Sequence, residues 1–462
     1  MNENRTNDEA NTNPSRLGSG EKACWFTLCV ILAMTPIALV GDAVRQLWAA
    51  NEAEEIRQRL INEGVPLSSA ALAVKAASNA SDTGGATLQR IADAIYRYRL
   101  PTGFLVDEFS NEGAFVPPQE EWMVGKLLAE RASDASAIVS AMESLATDQP
   151  IQQPLLFEGM QTLLPETQSS REHIRFLRRQ AQLAYHQGDF ERVVTLIELM
   201  QTLADVGDWQ VFLVSELVWT AKQEAIATSI CECMEHDVFT DGQLERLKAI
   251  VARTINYSDR WKIAMGSELA MAAAQLGIVE EGGAVHWALG VLAGHQTGSS
   301  RLYALRGFDA TIQEGERLGG LAWDPDQWPE PFDESSRTVS LVSFPLADDA
   351  ILMQQMHPGV KRLAQVYHRL ETHRRVARLA IGLRQYEHAN DSWPGDLSVL
   401  SKFGVVDSDS RYPSGKWIGY ANRDEGPAYL WIDLDEPGER RSPFTNEEVE
   451  DKGNRWQYEL NP

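Results

Sequence analysis

The stretch VKRLAQVYHRLETHRRVARLAIGLRQY, residues 360–386, decides the fold because apolar residues recur along it at helical spacing. Charged and polar side chains fill the other positions, which is typical of an amphipathic α-helix. We predict one long helix here, which begins after Pro358-Gly359 and ends in the polar run before Pro394. At 1.5 Å per residue it would extend roughly 42 Å. We therefore predict that it joins a helical body to a small C-terminal module.

The composition is that of a folded protein, since 44% of the 462 residues are hydrophobic. This length allows two or three domains. The formal net charge of −24 repels phosphate backbones and anionic lipid headgroups, so we expect no nucleic-acid partner. A positively charged protein or polymer partner fits this charge better, and the alternative is that the charge only keeps the protein soluble.

The N-terminal region divides into a polar tail and an apolar segment. Residues 1–22 lack periodicity and we predict that they are disordered. Residues 23–41 contain 18 consecutive uncharged residues, Ala23–Val40, which predicts a transmembrane anchor. A cleaved signal peptide ending near Gly41-Asp42-Ala43 is the alternative. Equal numbers of basic residues flank the two ends of this segment, so the positive-inside rule does not set its orientation in the membrane. A short tail followed by an anchor favours a single-pass protein of the cell inner membrane with its large C-terminal part outside the cytoplasm.

Helical periodicity also dominates residues 42–359, which predicts a multi-helix body. The predicted helices cover residues 44–63, 88–100, 120–146, 171–206 (two helices), 209–235, 241–255, 260–276, 283–293 and 301–318. Small residues around Gly188-Asp189 predict one helical hairpin of the tetratricopeptide type, but a repeat array needs more units than this one. The prolines of the Pro- and Trp-rich loop, residues 319–345, exclude helix, and Thr338–Phe344 is predicted to be a short strand.

The residues with the clearest binding chemistry in the body lie in that loop. Trp323 and Trp328, with Asp324 and Asp326, combine aromatic rings and carboxylates, the chemistry of sugar-binding surfaces. The alternative is that the tryptophans simply fill the helical body.

The sequence predicts no catalytic residue, cofactor or metal site with a specific motif. Cys231 and Cys233, near His236, are two residues apart, so on a helix their thiols point in different directions. We predict that they are small buried side chains. The usual zinc-protease, phosphate-loop, nucleophile-elbow and dinucleotide motifs are absent from the sequence. Their absence does not exclude catalysis, but it removes the commonest reasons to predict an enzyme, and we expect a non-enzyme.

The pattern changes after the long helix to a small α+β module, which together with that helix covers residues 360–434. We predict a short helix that buries Leu397, Val399 and Leu400, then strands at 417–420 and 428–434 that pair as an antiparallel hairpin. Residues 435–462 are predicted to form a loosely ordered acidic tail. The predicted fold class is therefore mainly α: a multi-helix body after one N-terminal transmembrane helix, with a small C-terminal α+β module.

A family resemblance is carried by the spacing of residues in this module. These residues are Ala377, Leu383, Tyr386, Pro394, Leu397, Leu400, Ser414-Gly415-Lys416, Tyr420 and Tyr429-Leu430. The module resembles the end of an uncharacterised family of bacterial proteins with one anchor and a helical body, and also the globular part of the major pseudopilins of type II secretion. The pseudopilin resemblance implies a calcium site after the last strand, where this chain has Asp433, Asp435 and Glu436. The alternative is a solvated acidic tail.

Three functions follow as hypotheses. The first is an anchored envelope protein whose body is a protein-interaction or scaffolding module. The second is a pseudopilin-like component of a secretion or surface machine, although the chain has no Gly before Phe26 and carries Val30 where pilins carry Glu. The third is a protein or enzyme that binds or acts on envelope carbohydrate through the loop at 323–334.

Overall fold

The computed structural model describes residues 19–68, 71–72, 82–98, 115–145, 165–206, 212–236, 238–275, 298–317, 347–411, 413, 418–422, 427–433 and 455–460. Within these ranges the protein is mainly helical, as predicted, with one small antiparallel sheet. The loop at 319–345 with its predicted strand, and the predicted helix at 283–293, lie outside the described residues.

The helices are α1 Ser19–Asn62, α2 Asp82–Tyr98, α3 Met123–Glu130, α4 Ala132–Leu145, α5 Pro165–His186, α6 Phe190–Val206, α7 Leu213–Cys233, α8 Asp241–Val251, α9 Tyr257–Gln275, α10 Gly298–Arg317 and α11 Ala347–Asn390. Two 3-10 helices follow, Leu397–Phe403 and Asp407–Ser410. The strands are β1 Gly419–Ala421, β2 Ala428–Asp433 and β3 Arg455–Leu460.

The long helix α11 is present but begins at Ala347 and not after Pro358-Gly359, so the predicted start is wrong. A proline removes one backbone hydrogen bond, but a helix can continue past it with a local adjustment. The helix ends at Asn390, after which Asp391 takes a left-handed φ of +51°. Helix α11 contacts α7 and α8 of the body and also both 3-10 helices of the C-terminal module.

Helix α7 is the centre of the body, where it packs against α5, α6, α9 and α11. Apolar and polar side chains are both buried around it, including Ile226, Ile230, Thr220 and Lys222. A helix buried on every side needs partners for its polar groups, because an unsatisfied buried polar group is costly.

Helices α5 and α6 form the predicted hairpin. Gly188 takes a φ of +76°, which a glycine adopts without strain. The N–H of Asp189 donates to the Ala184 carbonyl at 2.9 Å, and the Asp189 carboxylate accepts the Arg192 N–H at 3.1 Å. Val193 is fully buried on the second helix. This turn ends one helix, caps the next and confirms the hairpin.

Helices α1, α9 and α10 pack together beside this centre. The C-terminal half of α1 contributes Ala49, Ala53 and Leu60 to the core shared with these helices. Trp261 of α9 is fully buried there and donates its indole N–H to the Thr311 carbonyl at 2.8 Å.

The C-terminal module is a three-stranded antiparallel sheet in the order β1-β2-β3. The predicted hairpin of β1 and β2 is confirmed. The third strand was not predicted: β3 pairs along β2, with Ala428 opposite Leu460 and Asp433 opposite Arg455. The prediction of a loosely ordered tail is therefore wrong for residues 455–460. Their sequence, RWQYEL, alternates large apolar and polar residues, which is a strand pattern.

The segment after α11 is a 3-10 helix capped by Asp396, whose carboxylate accepts the Ser398 N–H at 2.6 Å. Leu400 is buried and Leu397 is half-buried, but Val399 is exposed, so its predicted burial is wrong. Side chains three residues apart share one face of a 3-10 helix, which places position 399 on the other face.

Candidate functional site

The predicted sugar-binding residues Trp323, Asp324, Asp326 and Trp328 lie outside the described residues. Their role therefore stays a prediction.

The residues of the predicted calcium site do not lie where the sequence placed them, after the last strand. Asp433 is the last residue of β2, and β3 follows it in the chain, so Asp433 does not come after the last strand. Asp435 and Glu436 lie outside the described residues. Within the ranges given above, no three or more His, Cys, Asp or Glu side chains are grouped to hold a metal ion.

Cys231 and Cys233 are both buried, as predicted, at 1% and 0% exposure. The Cys231 sulfur lies 3.8 Å from the His373 carbonyl oxygen, which it contacts as a weak donor. Burial raises the pKa of the Cys233 thiol well above its ordinary value. A thiol that keeps its proton is a poor nucleophile and a poor metal ligand.

A set of buried ion pairs around α7 was not predicted from the sequence. Glu216, Glu224 and Glu232 are spaced eight residues apart on this helix. Because an α-helix turns about 100° per residue, each glutamate points roughly 80° further around the axis than the one before. The three carboxylates therefore meet three different neighbours: Arg260 on α9, Arg369 on α11 and Arg178 on α5. The eight-residue spacing is the sequence signal for this arrangement.

The first of these pairs is the most enclosed. Arg260 donates from Nε and Nη2 to the two oxygens of Glu216 at 2.6 and 2.7 Å. Tyr367 donates its hydroxyl to the same carboxylate at 2.6 Å. The Arg260 guanidinium also lies over the Trp219 ring, 3.3 Å from its centroid. Burial raises the pKa of Tyr367 well above its ordinary value, so the hydroxyl remains a donor.

The other two pairs extend the set along α7. Arg369 Nε lies 2.6 Å from a Glu224 oxygen, and His373 Nε2 lies 3.5 Å from the same atom. Burial lowers the pKa of His373 to about 4, so this ring is neutral at pH 7. Arg178 Nη2 donates to both oxygens of Glu232 at 3.0 and 2.8 Å.

A second group, the α11 arginine cluster, consists of Arg374, Arg375 and Arg378 around Glu371. Glu371 accepts from all three at 3.0 to 3.2 Å. Burial alone would raise the pKa of Glu371, but the three arginines together hold it below its ordinary value. Arg378 also pairs with Asp409 of the second 3-10 helix at 2.7 Å.

The same three arginines bind backbone carbonyls on both sides of α11. Arg374 and Arg378 donate to the Val251 carbonyl at the end of α8, at 3.0 and 2.7 Å. Arg374 also donates to the Arg253 carbonyl. Arg375 donates to the carbonyls of Ser408 and Arg411, at 2.9 and 2.8 Å. The cluster thereby attaches the C-terminal module to the body.

These ion pairs are better suited to holding helices than to catalysis. The Glu371 carboxylate is held in its charged form by three guanidinium groups, which makes it a weak general base near neutral pH. The arrangement fixes the positions of α5, α7, α9 and α11 relative to one another.

Glu268 of α9 differs from these glutamates. Its carboxylate accepts the N–H of Leu213 at 3.0 Å, at the start of α7, where the N-cap residue Phe212 supplies no side-chain cap. Burial raises the pKa of Glu268 to about 7, and the hydrogen bond from Leu213 only partly opposes this.

Stability is therefore expected to depend on the ionisation of Glu268. The folded protein binds this proton more tightly than the unfolded chain, whose pKa is 4.5. The stabilisation is complete below the unfolded pKa and is lost as the pH rises toward and through 7. Glu268→Gln keeps an acceptor for Leu213 and carries no charge. We expect its free energy of unfolding to match that of the parent near pH 4.5 and to exceed it by up to about 3 kcal/mol at pH 8.

Urea unfolding of the full chain in detergent across this pH range measures the difference. Glu130→Gln is the matched control, because it makes the same chemical change at an exposed position on α3. A constant difference between Glu268→Gln and the parent from pH 4.5 to 8 would show that Glu268 does not titrate in this window.

The most unusual surface of the described chain is on α1. Large apolar side chains of its N-terminal part are exposed. They are Trp25, Phe26, Leu28, Val30, Met34, Val40, Val44, Leu47 and Trp48. Further along the helix, a shallow groove of about 700 Å³ is lined by polar residues that include Asn51, Glu55 and Gln58. Among the residues with described positions, no helix has both the length and the apolar content for a membrane span.

Comparison of the chain with protein-family models, with curated proteins and with solved structures gave no match. The predicted family resemblance stays a prediction.

Proposed function

We propose that the protein is a single-pass protein of the bacterial inner membrane, with a helical body outside the cytoplasm that acts as a protein-interaction or scaffolding module. The observation that carries this proposal is the exposure of the apolar side chains in the first part of α1. Trp25 and Phe26 are 60% and 71% exposed on a helix whose later residues, such as Ala53, are buried in the body. Contiguous exposed apolar surface of this kind marks an interaction with a membrane or a partner.

The sequence around these residues favours the membrane. All 18 residues of Ala23–Val40 are uncharged. An apolar run of this length is long enough to cross the hydrocarbon core of a bilayer as a helix. Because the helix continues from this segment to Asn62 without a break, the anchor would hold the body at the bilayer surface.

A non-catalytic role is supported by the buried ion pairs. The carboxylates of Glu216, Glu224 and Glu232 are each bound by an arginine, and these charges stabilise the contacts between helices. The net charge of −24 favours a positively charged partner for the body.

Membrane attachment is tested with a double variant, Val30→Arg with Met34→Arg. We expect the parent chain to float with membranes and to resist extraction at alkaline pH. An arginine near the bilayer centre costs about 2.5 to 3.5 kcal/mol, so the double variant should lose most of its membrane fraction. Val399→Arg, at an exposed position of the C-terminal module, should behave as the parent does.

Two outcomes would refute the anchor. One is release of the parent chain by alkaline extraction. The other is an intact mass that lacks the first 41 to 43 residues, as a cleaved signal peptide requires. The pseudopilin alternative predicts a third result, processing close to Phe26, which the same mass measurement detects.

A further inference from the structure

Only eight residues of α1, 41–48, separate the uncharged segment from the body. The segment ends at Val40, and Ala49, at 3% exposure, is the first buried residue of α1 among those whose exposure is described. Helix α1 continues through both without a break. At 1.5 Å per residue, Ala49 lies roughly 14 Å beyond Val40 along the helix axis. The headgroup layer on one side of a bilayer is itself about 5 to 8 Å thick, so a spanning segment leaves little space beneath the body.

The side chains of this short stretch suit the headgroup layer. Val44, Leu47 and Trp48 are 60%, 51% and 61% exposed. Arg45 is exposed among them. Tryptophan is enriched where a helix leaves the hydrocarbon core, because its ring is apolar and its N–H group is polar. An arginine at the same depth buries its stem and extends its charged end toward the headgroups. Both residue types are therefore stable where apolar and polar surroundings meet.

Helix α10 runs in the same direction as α1. Arg306 of α10 pairs with Glu52 of α1. Asp309, further along α10, pairs with Arg59, further along α1. Helix α10 therefore begins at the end of the body that is nearest the uncharged segment.

The start of α10 reaches the level of residues 41–48. Helix α10 begins at Gly298, eight residues before Arg306. For helices that run side by side, eight residues correspond to roughly 12 Å along the axis. Because Arg306 pairs with Glu52, Gly298 lies about level with Val44, which is also eight residues before Glu52.

Helix α9 runs in the opposite direction, so its last turn lies at the same end of the body. Trp261 donates to the Thr311 carbonyl, whereas Leu269 shares a core cluster with Leu305. Moving forward along α9 is therefore moving backward along α10. Helix α9 ends at Gln275, six residues after Leu269, which is roughly 9 Å closer to the uncharged segment.

We propose that one end of the body rests on the headgroups of the bilayer. This membrane-facing end consists of residues 41–48 of α1, the last turn of α9 and the first turn of α10. The inference rests on the proposed membrane anchor, because α1 fixes the distance between bilayer and body only when its first part spans the bilayer. The net charge of −24 opposes binding to anionic lipids. The anchor, and not charge attraction, therefore holds this end against the bilayer.

The C-terminal module lies toward the other end of the body. Helix α7 begins beside the last two turns of α9. Helix α11 runs along α7 in the same direction, since Tyr367 contacts Glu216 near the start of α7. Further along both helices, Arg384 donates to the Met234 carbonyl just after the end of α7. The module follows the end of α11, so an exposed residue of the module provides a control position away from the headgroups.

The test is fluorescence quenching on the full chain in phosphatidylcholine vesicles that contain a lipid with a nitroxide on its headgroup. Cys24→Ser and Cys29→Ser remove the exposed native thiols, and the other two cysteines of the chain are buried. In this background a bimane label is attached at Ser300→Cys in the first turn of α10, or at Val399→Cys, an exposed position of the C-terminal module. We expect quenching at position 300 to be several-fold stronger than at position 399.

A change in the length of α1 provides the second measurement. A seven-residue helical insertion between Trp48 and Ala49 raises the body by roughly 10 Å and turns it by only about 20° around the helix axis. We expect the insertion to remove most of the quenching at position 300. A label at Leu47→Cys, on the bilayer side of the insertion, is the matched control and should stay quenched.

Two results would overturn the membrane-facing end. One is equal quenching at positions 300 and 399, and the other is quenching at position 300 that survives the insertion. Flotation separates this proposal from the anchor on which it rests. A chain that does not float refutes the anchor, whereas a chain that floats with position 300 quenched no more than position 399 refutes only the contact of the body with the bilayer.

Discussion

Replacing Arg260 by methionine is expected to lower the free energy of unfolding by about 3 to 5 kcal/mol. The substitution leaves the Glu216 carboxylate buried at 1% exposure without its guanidinium partner. Tyr367 still donates to this carboxylate, but one neutral donor does not replace a two-point bond to a cation. Trp219 also loses the guanidinium that lies over its ring. Urea unfolding of the full chain in detergent measures this loss.

The matched control is Arg192→Met. Arg192 pairs with Glu143 at 2.9 Å, but the two side chains are 37% and 42% exposed. A pair in this environment contributes at most about 1 kcal/mol. If Arg260→Met costs no more than Arg192→Met, the pair of Arg260 with Glu216 does not stabilise the contact between α7 and α9. A double variant, Glu216→Leu with Arg260→Met, should be less destabilised than Arg260→Met alone, because it removes the unpaired charge.

Replacing Gly315 by alanine is expected to destabilise the protein by about 2 to 3 kcal/mol, as overpacking of a close-packed core does. A Cβ atom at this position would lie 1.8 Å from Cδ1 of Trp261 and 2.4 Å from its Nε1. Trp261 is fully buried and hydrogen-bonded to the Thr311 carbonyl, so it can move only by giving up that bond and its packing. In a helix without such a clash, replacing glycine by alanine normally stabilises the protein, because alanine is the better helix former by about 1 kcal/mol. The expected effect of Gly315→Ala on stability therefore has the opposite sign.

Gly242→Ala on α8 provides the comparison, since a Cβ there meets nothing within 4 Å. We expect this change to be neutral or mildly stabilising in the same thermal or urea unfolding experiment. Trp261→Leu removes the indole ring that Gly315→Ala would strike, so the two substitutions together should cost clearly less than the sum of their separate effects. Additive effects would mean that the two positions are not in contact.

The parts of this fold that the sequence predicted are those carried by local patterns. The helical spacing in 360–386 predicted α11, and the glycine of the α5–α6 turn predicted the hairpin. The start of α11 was missed because Pro358 is locally a helix breaker, although a helix can continue past a proline with a local adjustment. Strand β3 was missed because charged residues surround its short alternating pattern.

The ion pairs of α7 could not be predicted, because burial of a glutamate depends on its partners. Glu224 and Arg369 are 145 residues apart, and Glu216 and Arg260 are 44 apart. A helix with Glu, Lys and Gln on several faces normally indicates a solvated surface. The eight-residue spacing of the three glutamates becomes informative only when three neighbouring helices are known to supply arginines.

The α11 arginine cluster has a consequence for how this protein can change in evolution. Arg374, Arg375 and Arg378 bind main-chain oxygens of residues 251, 253, 408 and 411. Every amino acid supplies that oxygen, so these four positions can drift without weakening the acceptors. Selection for the attachment of the C-terminal module to the body therefore acts on the three arginines that donate these hydrogen bonds. Exchange of one of them for lysine is not conservative, because lysine lacks the planar guanidinium group that donates several hydrogen bonds at once.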